Sequence, residues 1–234
     1  MYKRVLLKIS GEALSSDSSP LCQETIDQTA GVIAALQKRG VEIGIVVGGG
    51  NIMRGRSAGR MERNRADHMG MLATAINALA LQDALEHLGV PCAVLSAIGM
   101  HRICEEYTSR DAHRLLANGT VVIFACGTGS PFFSTDTGAS LRAAEIRADV
   151  LLLAKNIDAV YSADPQKDPS ATRYDHLTYQ QVISDNLQAT DITAITMCKE
   201  QDIPIHVFAL SKILSVFDGE STGTLIDNGL GLES

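Results

Sequence analysis

Positive charge is the first thing this sequence lacks: 20 Lys and Arg are outnumbered by 27 Asp and Glu, giving a net charge of −7 and a pI near 5.3. A broad grip on nucleic acid needs Lys and Arg gathered against phosphates, so that class of partner is excluded and any anion site must be local. The five cysteines, Cys22, Cys92, Cys104, Cys126 and Cys198, are odd in number and contain no C-x-x-C pair. They read as free thiols in a reducing compartment rather than as a disulfide framework. Long apolar runs are missing too. The segment after Met1-Tyr2-Lys3-Arg4 is too short for a signal sequence or a membrane span, so a cytoplasmic protein with no membrane partner is expected. Tryptophan is absent and aromatics reach only 4%, but 45% hydrophobic and 20% charged residues are the proportions of an ordered soluble chain. No repeat or linker divides residues 1–234, which are expected to form one domain burying roughly 70% of its unfolded surface.

What is present is a repeated alternation of short apolar runs and helical periods. Val5-Leu6-Leu7 reads as a buried strand leading into Lys8-Ile9-Ser10-Gly11. Ile26, Ala30, Ile33 and Ala34 follow helical spacing, closed by Gly40, and Glu42–Val47 reads as the next strand. A long helix is expected from Asp67 to Gly89, its apolar stripe formed by Leu72, Ala73, Ile76, Leu79, Ala80, Ala84 and Leu88. Asp67 near its start could cap it or serve a ligand. Further strands are expected at Cys92–Leu95, Thr120–Ala125, Val150–Ala154 and Ile205–Phe208, with an edge strand at Gly223–Ile226. Helices are expected at Arg110–Asn118 with Ser109 as cap, and at Ala139–Ala148, Asp191–Gln201 and Lys212–Val216. Thr178 and Gln181 match a capping box, and the stretch 158–175 reads as one long irregular excursion. Strand–helix repetition of this kind builds an α/β fold with a mainly parallel sheet.

Val46-Val47-Gly48-Gly49-Gly50-Asn51 stops an apolar run in three glycines, with Arg54 and Arg56 following. Backbone N–H groups at such a turn suit phosphate, although a simple tight turn would look the same. Neither a Walker A sequence nor G-x-G-x-x-G is present. In an open parallel sheet, ligands bind at the carboxyl ends of the strands. Lys8–Gly11, Gly48–Asn51, Gly127–Asp136 and Lys155–Asp164 all follow strands, so these four loops should meet on one edge around an anionic ligand.

These same segments resemble the UMP kinase family of the amino acid kinase superfamily. The matching stretches are KISGEAL (8–14), GGGNIMRG (48–55), ADHMGMLAT (66–74), GTGSPFFSTD (127–136), AVYSADPQKDPSA (159–171) and GTLI (223–226). The resemblance implies a three-layer α/β/α sandwich that transfers a phosphoryl group from ATP to UMP with Mg²⁺ arriving on the ATP. It also implies UMP in the N-terminal half, ATP over the C-terminal half, and a homohexamer. Lys8 would hold the transferring phosphoryl oxygens, with Ile9, Ser10 and Gly11 completing its loop on the ATP side. Gly49 would face UMP and Gly50 ATP, with Arg54 reaching the phosphates. Asp67, Thr128, Gly129, Ser130, Pro131, Phe132, Phe133, Ser134 and Thr135 would surround the acceptor nucleotide. Asp136 and Asp191 would organise lysine, Mg²⁺ or both, and Asn156, Tyr161 and Asp164 would contact adenosine.

Read without the resemblance, Tyr161 is a core tyrosine and Asp164 a turn residue before Pro165. Lys155-Asn156 stands where some members have Thr-Lys, so either residue could make the adenosine contact. Ser15–Leu21 (SSDSSPL) replaces a glycine-rich segment that other members carry, and GTP activation is therefore not implied. No His/Cys cluster marks a protein-held metal. The alternatives are a carboxylate or carbamate kinase, or a non-catalytic nucleotide-binding protein of the same fold.

Overall fold

A computed structural model describes residues 2–53 and 60–229. In chain order the elements are β1 (Arg4–Ile9), α1 (Gln23–Gln37), β2 (Glu42–Val47), α2 (Arg63–His87), β3 (Cys92–Ser96), β4 (Glu105–Glu106), α3 (Ser109–Ala117) and β5 (Val121–Ala125). There follow α4 (Thr135–Glu145), β6 (Val150–Lys155), β7 (Val160–Tyr161), β8 (Arg173–Tyr174), β9 (His176–Thr178), α5 (Tyr179–Ser184), α6 (Ile192–Glu200), β10 (Ile205–Ala209), α7 (Ile213–Phe217) and β11 (Thr224–Asp227).

Among the described residues these strands form a nine-stranded sheet in the order β4-β3-β5-β2-β1-β6-β10-β11-β9, and β7 with β8 forms a separate small ladder. Within the large sheet every neighbouring pair is parallel except β10 with β11. Strand side chains alternate between two faces, and both faces are covered. Val5, Leu7 and Ile9 of β1 pack on one side with Ile43, Ile45 and Val47 of β2 beneath α1 and α2. Leu6 of β1, with Val46, Val122 and Phe124, packs on the other side beneath α3, α4 and α6. This doubly covered sheet is the expected three-layer sandwich, and it explains why its strands read as unbroken apolar runs.

Several elements differ from the sequence reading for physical reasons. α2 begins four residues before Asp67, because Glu62 caps it by accepting from the backbone N–H groups of Asn64 and Arg65. Asp67 is therefore not a cap. The α2 stripe is also rotated. Leu72, Ile76 and Leu88 are 50%, 46% and 50% exposed, while Ala66, Ala73, Thr74, Ala75, Asn77 and Ala78 are buried. The reason lies at the glycine turn: a Cβ on Gly49 would sit 2.6 Å from the Gly70 carbonyl oxygen and 2.9 Å from Ala73 Cβ. At that approach only small side chains fit between helix and sheet.

Similarly, α4 starts at Thr135 rather than Ala139, with Ser134 as its cap, and α3 is capped by Thr108 instead of Ser109. The excursion at 158–175 contains the β7–β8 ladder. β11 lies between β10 and β9, so it is an interior strand and β9 is the edge. The capping box at Thr178 and Gln181 forms as expected.

Candidate active site

β1 lies between β2 and β6, and the chain crosses from one side of β1 to the other after β5. That switch point leaves a crevice at the carboxyl ends of the strands. The four expected loops open there.

The glycine turn is held from behind. Asn77, fully buried on α2, donates to the Gly48 carbonyl at 2.6 Å and to Asn51 Oδ1 at 2.8 Å. Asn51 in turn donates to the Pro20 carbonyl at 2.6 Å. Gly11 closes against the same group, since a Cβ there would meet Asn51 Oδ1 at 2.2 Å and the Gly48 carbonyl oxygen at 2.8 Å. The first and second loops are thus locked together through paired amides and missing side chains.

A cavity of 420 Å³ opens beside this turn. Gly49 and Gly50 form one wall, the start of α2 a second, and the loop from Gly127 to Thr135 the third. The α2 wall consists of Arg63, Asp67, Gly70, Met71 and Thr74, positions that share one helix face at spacings of three and four. Asp67 accepts from Arg63 Nε at 2.8 Å on both oxygens, and its Oδ2 also takes the Phe132 N–H at 2.8 Å. Oδ1 keeps acceptor capacity toward the cavity. Phe132 is held at a positive φ of 71°, its ring 5.6 Å from the Arg63 guanidinium carbon. Across the cavity Thr74 Oγ1 accepts the Cys126 N–H at 2.8 Å, steadying another left-handed residue (φ 63°).

Of the residues that the resemblance sets around the acceptor nucleotide, Thr128, Ser130, Phe133, Ser134 and Thr135 line the cavity, whereas Gly129, Pro131 and Phe132 stand outside its lining. Gly129 turns the loop with φ 77° against Ala97, and Phe132 and Phe133 are 64% and 54% exposed. Thr128 Oγ1 accepts the Ser130 N–H at 3.2 Å, setting the bend that reaches Pro131.

One residue beyond the cavity wall, in the first turn of α4, Asp136 meets two lysines. Its Oδ1 lies 2.7 Å from Lys8 Nζ, and its Oδ2 lies 3.9 Å from Lys155 Nζ and accepts from Thr190 at 2.7 Å. Burial alone would push the Asp136 carboxyl up, but Lys8, Lys155 and Thr190 together hold it below the usual range. Burial pushes Lys155 down, opposed by Asp136 and reinforced by Lys8. Two ammonium groups thus share one carboxylate beside the N-terminus of α4, where the helix dipole favours anions, with the Asp191 carboxylate close enough to act on Lys155 as well. Lys155 donates as well to the Ala189 carbonyl.

Asp191 takes a different position from Asp136. It caps α6 by accepting the Ala194 N–H at 2.9 Å, and it accepts the hydroxyls of Thr137 at 3.0 Å and of Ser134. It fastens the N-terminus of α4 to that of α6. At the other side of the crevice, Asn156 Nδ2 donates to Glu12 Oε2 at 3.2 Å, linking the loops after β6 and β1. Tyr161 donates to Asp158 at 2.9 Å, and Asp164 accepts the Gln166 N–H at 3.0 Å in an exposed turn. Ile9 is buried in the core, and Ser10 precedes a 3₁₀ turn over Gly11–Leu14. Arg54 lies outside the described residues.

Sequence reasoning missed Arg63 and Thr74, and it assigned no role to Thr190. The i,i+4 spacing of Arg63 and Asp67 is a usable signal, but a helix expected to start only at Asp67 leaves Arg63 outside it. Nothing local marks Thr190; only the fold carries it to Asp136.

A parallel sheet whose switch-point crevice pairs a lysine–aspartate centre with a glycine-walled cavity defines a class of phosphoryl-transfer proteins, and the chain belongs to the amino acid kinase family, whose model matches residues 3–209. Among solved structures it is similar to UMP kinase from Bacillus anthracis, at 35% identity over 97% of each chain with a TM-score of 0.94. It is also similar to UMP kinase from Ureaplasma parvum, at 38% identity over 97% of this chain and 100% of that one, TM-score 0.92. Uridylate kinase from Archaeoglobus fulgidus matches at 30% identity over 95% and 99%, with a TM-score of 0.74.

Proposed function

We propose that this protein is a UMP kinase, transferring the γ-phosphoryl group of ATP to UMP to give ADP and UDP. The observation that carries the reading is the 420 Å³ cavity set directly beside the Lys8–Asp136 pair. Phosphoryl transfer asks for alignment and charge neutralisation rather than covalent work by the protein. UMP in the cavity would meet Asp67 Oδ1 with its ribose hydroxyls and the backbone of residues 127–133 with uracil. Backbone N–H donors favour a carbonyl at position 4 over the amino group of cytosine. Its phosphate would point along the glycine turn toward the N-terminus of α4, between Arg63 and Lys8. ATP would lie over β6 and β1, near Asn156, Tyr161 and Asp164, with its γ-phosphoryl at Lys8.

Gly49 and Gly50 both line the acceptor cavity, so the turn serves UMP along its length and its far side faces ATP. Asp136 holds Lys8 oriented, and Asp191 positions the helix that carries Asp136. Because Asp136 is already engaged by two ammonium groups, Mg²⁺ fits better as a passenger on the ATP phosphates, where it would offset their charge. The reaction would supply pyrimidine nucleotide synthesis in the cytoplasm, a setting compatible with five unpaired thiols. No helix among the described residues is long and apolar enough to cross a membrane. A homohexamer is the assembly we propose, with the outward Leu72 and Ile76 of α2 buried between copies.

A coupled assay of ADP formation with UMP, CMP, dUMP, glutamate and carbamate tests the activity. UMP should be the preferred acceptor; turnover with glutamate or carbamate and none with UMP would replace this reading by a carboxylate or carbamate kinase.

A further inference from the structure

Gly127 and Thr128 line the cavity, but the side chain that fixes their shared peptide stands outside it. Arg142 of α4 is 4% exposed, and a buried guanidinium is tolerated only when its donors are occupied. Its Nη1 pairs with Glu145, its guanidinium carbon lies 3.8 Å from the centre of the Tyr107 ring, and its Nη2 donates to the Gly127 carbonyl at 3.0 Å. Glu145 is fixed from a second direction by the Tyr107 hydroxyl at 2.7 Å, and Tyr107 packs edge-on against Phe124 of β5 at 5.6 Å. The result is a rigid mount beneath the first peptide of the acceptor loop. Gly138 lies next to the same peptide: a Cβ there would be in ordinary van der Waals contact with it, 3.6 Å from the Gly127 carbonyl carbon and 3.7 Å from Thr128 N.

In a planar trans peptide the C=O and the N–H point in opposite directions. A carbonyl drawn onto Arg142 therefore turns the next N–H, that of Thr128, away from α4. Among the described residues that N–H has no hydrogen-bond partner, although the Thr128 hydroxyl is engaged with Ser130 on both sides. The preceding residues, Cys126 and Gly127, both have positive φ (63° and 56°), a conformation that needs external support at Cys126.

We propose that Arg142 is a positioning residue for the acceptor nucleotide: by holding the Gly127 carbonyl it aims the Thr128 N–H into the cavity, where it donates to UMP. This rests on the UMP reading above. Lysine cannot substitute fully, because one ammonium cannot lie flat on Tyr107 while reaching both Glu145 and Gly127.

The test compares the wild type with Arg142→Lys and with the double variant Arg142→Met/Glu145→Gln, which leaves no unpaired buried charge. KM for UMP and for ATP are measured separately. The double variant should raise KM for UMP about tenfold, the worth of roughly one good hydrogen bond, with KM for ATP within about twofold. Arg142→Lys should fall between the two. If the double variant does not fold, Tyr107→Phe, which only loosens Glu145, should still raise KM for UMP by about two- to threefold. An unchanged KM for UMP in a folded variant, or equal rises for both substrates, overturns the role of Arg142. Absence of UMP turnover in the wild type would instead overturn the kinase reading, and the inference with it.

Discussion

Lys8 sits two ways at once: its backbone is in the central strand, paired with Val46 and Leu153, while its ammonium leaves the sheet to meet Asp136. A fixed cation at a transferring phosphoryl group contributes about 10²–10⁴ in rate. Lys8→Ala should therefore lower kcat by that order while changing KM for UMP much less; an unchanged kcat in steady-state assays would remove Lys8 from the chemistry. Asp136→Asn leaves two ammonium groups without their counter-charge and should destabilise the fold by about 2–4 kcal/mol in urea unfolding at neutral pH, the lower end reflecting its partial exposure. Its pH signature has a definite sign. Because the folded carboxyl is held below the ordinary value of about 3.9, the stability it contributes is complete above that value and disappears as pH falls through the lower folded one. Wild type should thus lose stability more steeply than Asp136→Asn as pH falls below about 4, and parallel acid limbs would refute the assignment.

At the scale of elements, α2 does three jobs on three faces. Its small residues admit the glycine turn, its Arg63–Asp67–Thr74 face walls the acceptor cavity, and its Leu72 and Ile76 point outward. The first job makes Gly49 a packing residue before it is a ligand contact. Gly49→Ala should push α2 from the turn, lowering stability by about 1–3 kcal/mol in thermal or urea unfolding and raising KM for UMP together with it. A stable Gly49→Ala protein with altered KM alone would show that the close approach to Gly70 relaxes without cost. The N-terminus of α2 depends on Glu62, whose carboxylate satisfies two N–H groups; Glu62→Ala should cost about 1 kcal/mol and loosen Arg63, which lines the cavity.

For the whole molecule, the question left by α2 is what covers Leu72 and Ile76. Both are large, apolar and about half exposed, one helical turn apart on a face that no other element of the described chain buries. If copies of the chain meet there, Leu72→Glu/Ile76→Glu should shift the species seen in sedimentation from the proposed hexamer to smaller assemblies, whereas an unchanged mass would place the contact elsewhere. The acceptor cavity is built within one copy, so its residues should continue to bind UMP in the dissociated protein.

The sequence by itself determined the central strands of the sheet and the end at which their loops open. Unbroken apolar runs at β1, β2, β5 and β6 could only be strands covered on both faces, and the polar or glycine-rich segments after them had to open at one end of a parallel sheet. It also placed Lys8, the glycine turn and the 127–136 loop, because these residues are local departures from their surroundings. Tertiary structure alone decided which face of α2 looks inward, since periodicity counts apolar residues but cannot register that Gly49 approaches Gly70 too closely for any but small ones. It alone decided the partners: Asp136 with Lys8, Lys155 and Thr190, Asp67 with Phe132, and Arg142 with Gly127. Apart from Asp136 with Lys155 and Arg142 with Gly127, each of these contacts joins residues more than fifty positions apart. Periods and motifs are local, whereas such contacts exist only after packing has fixed the distance between elements.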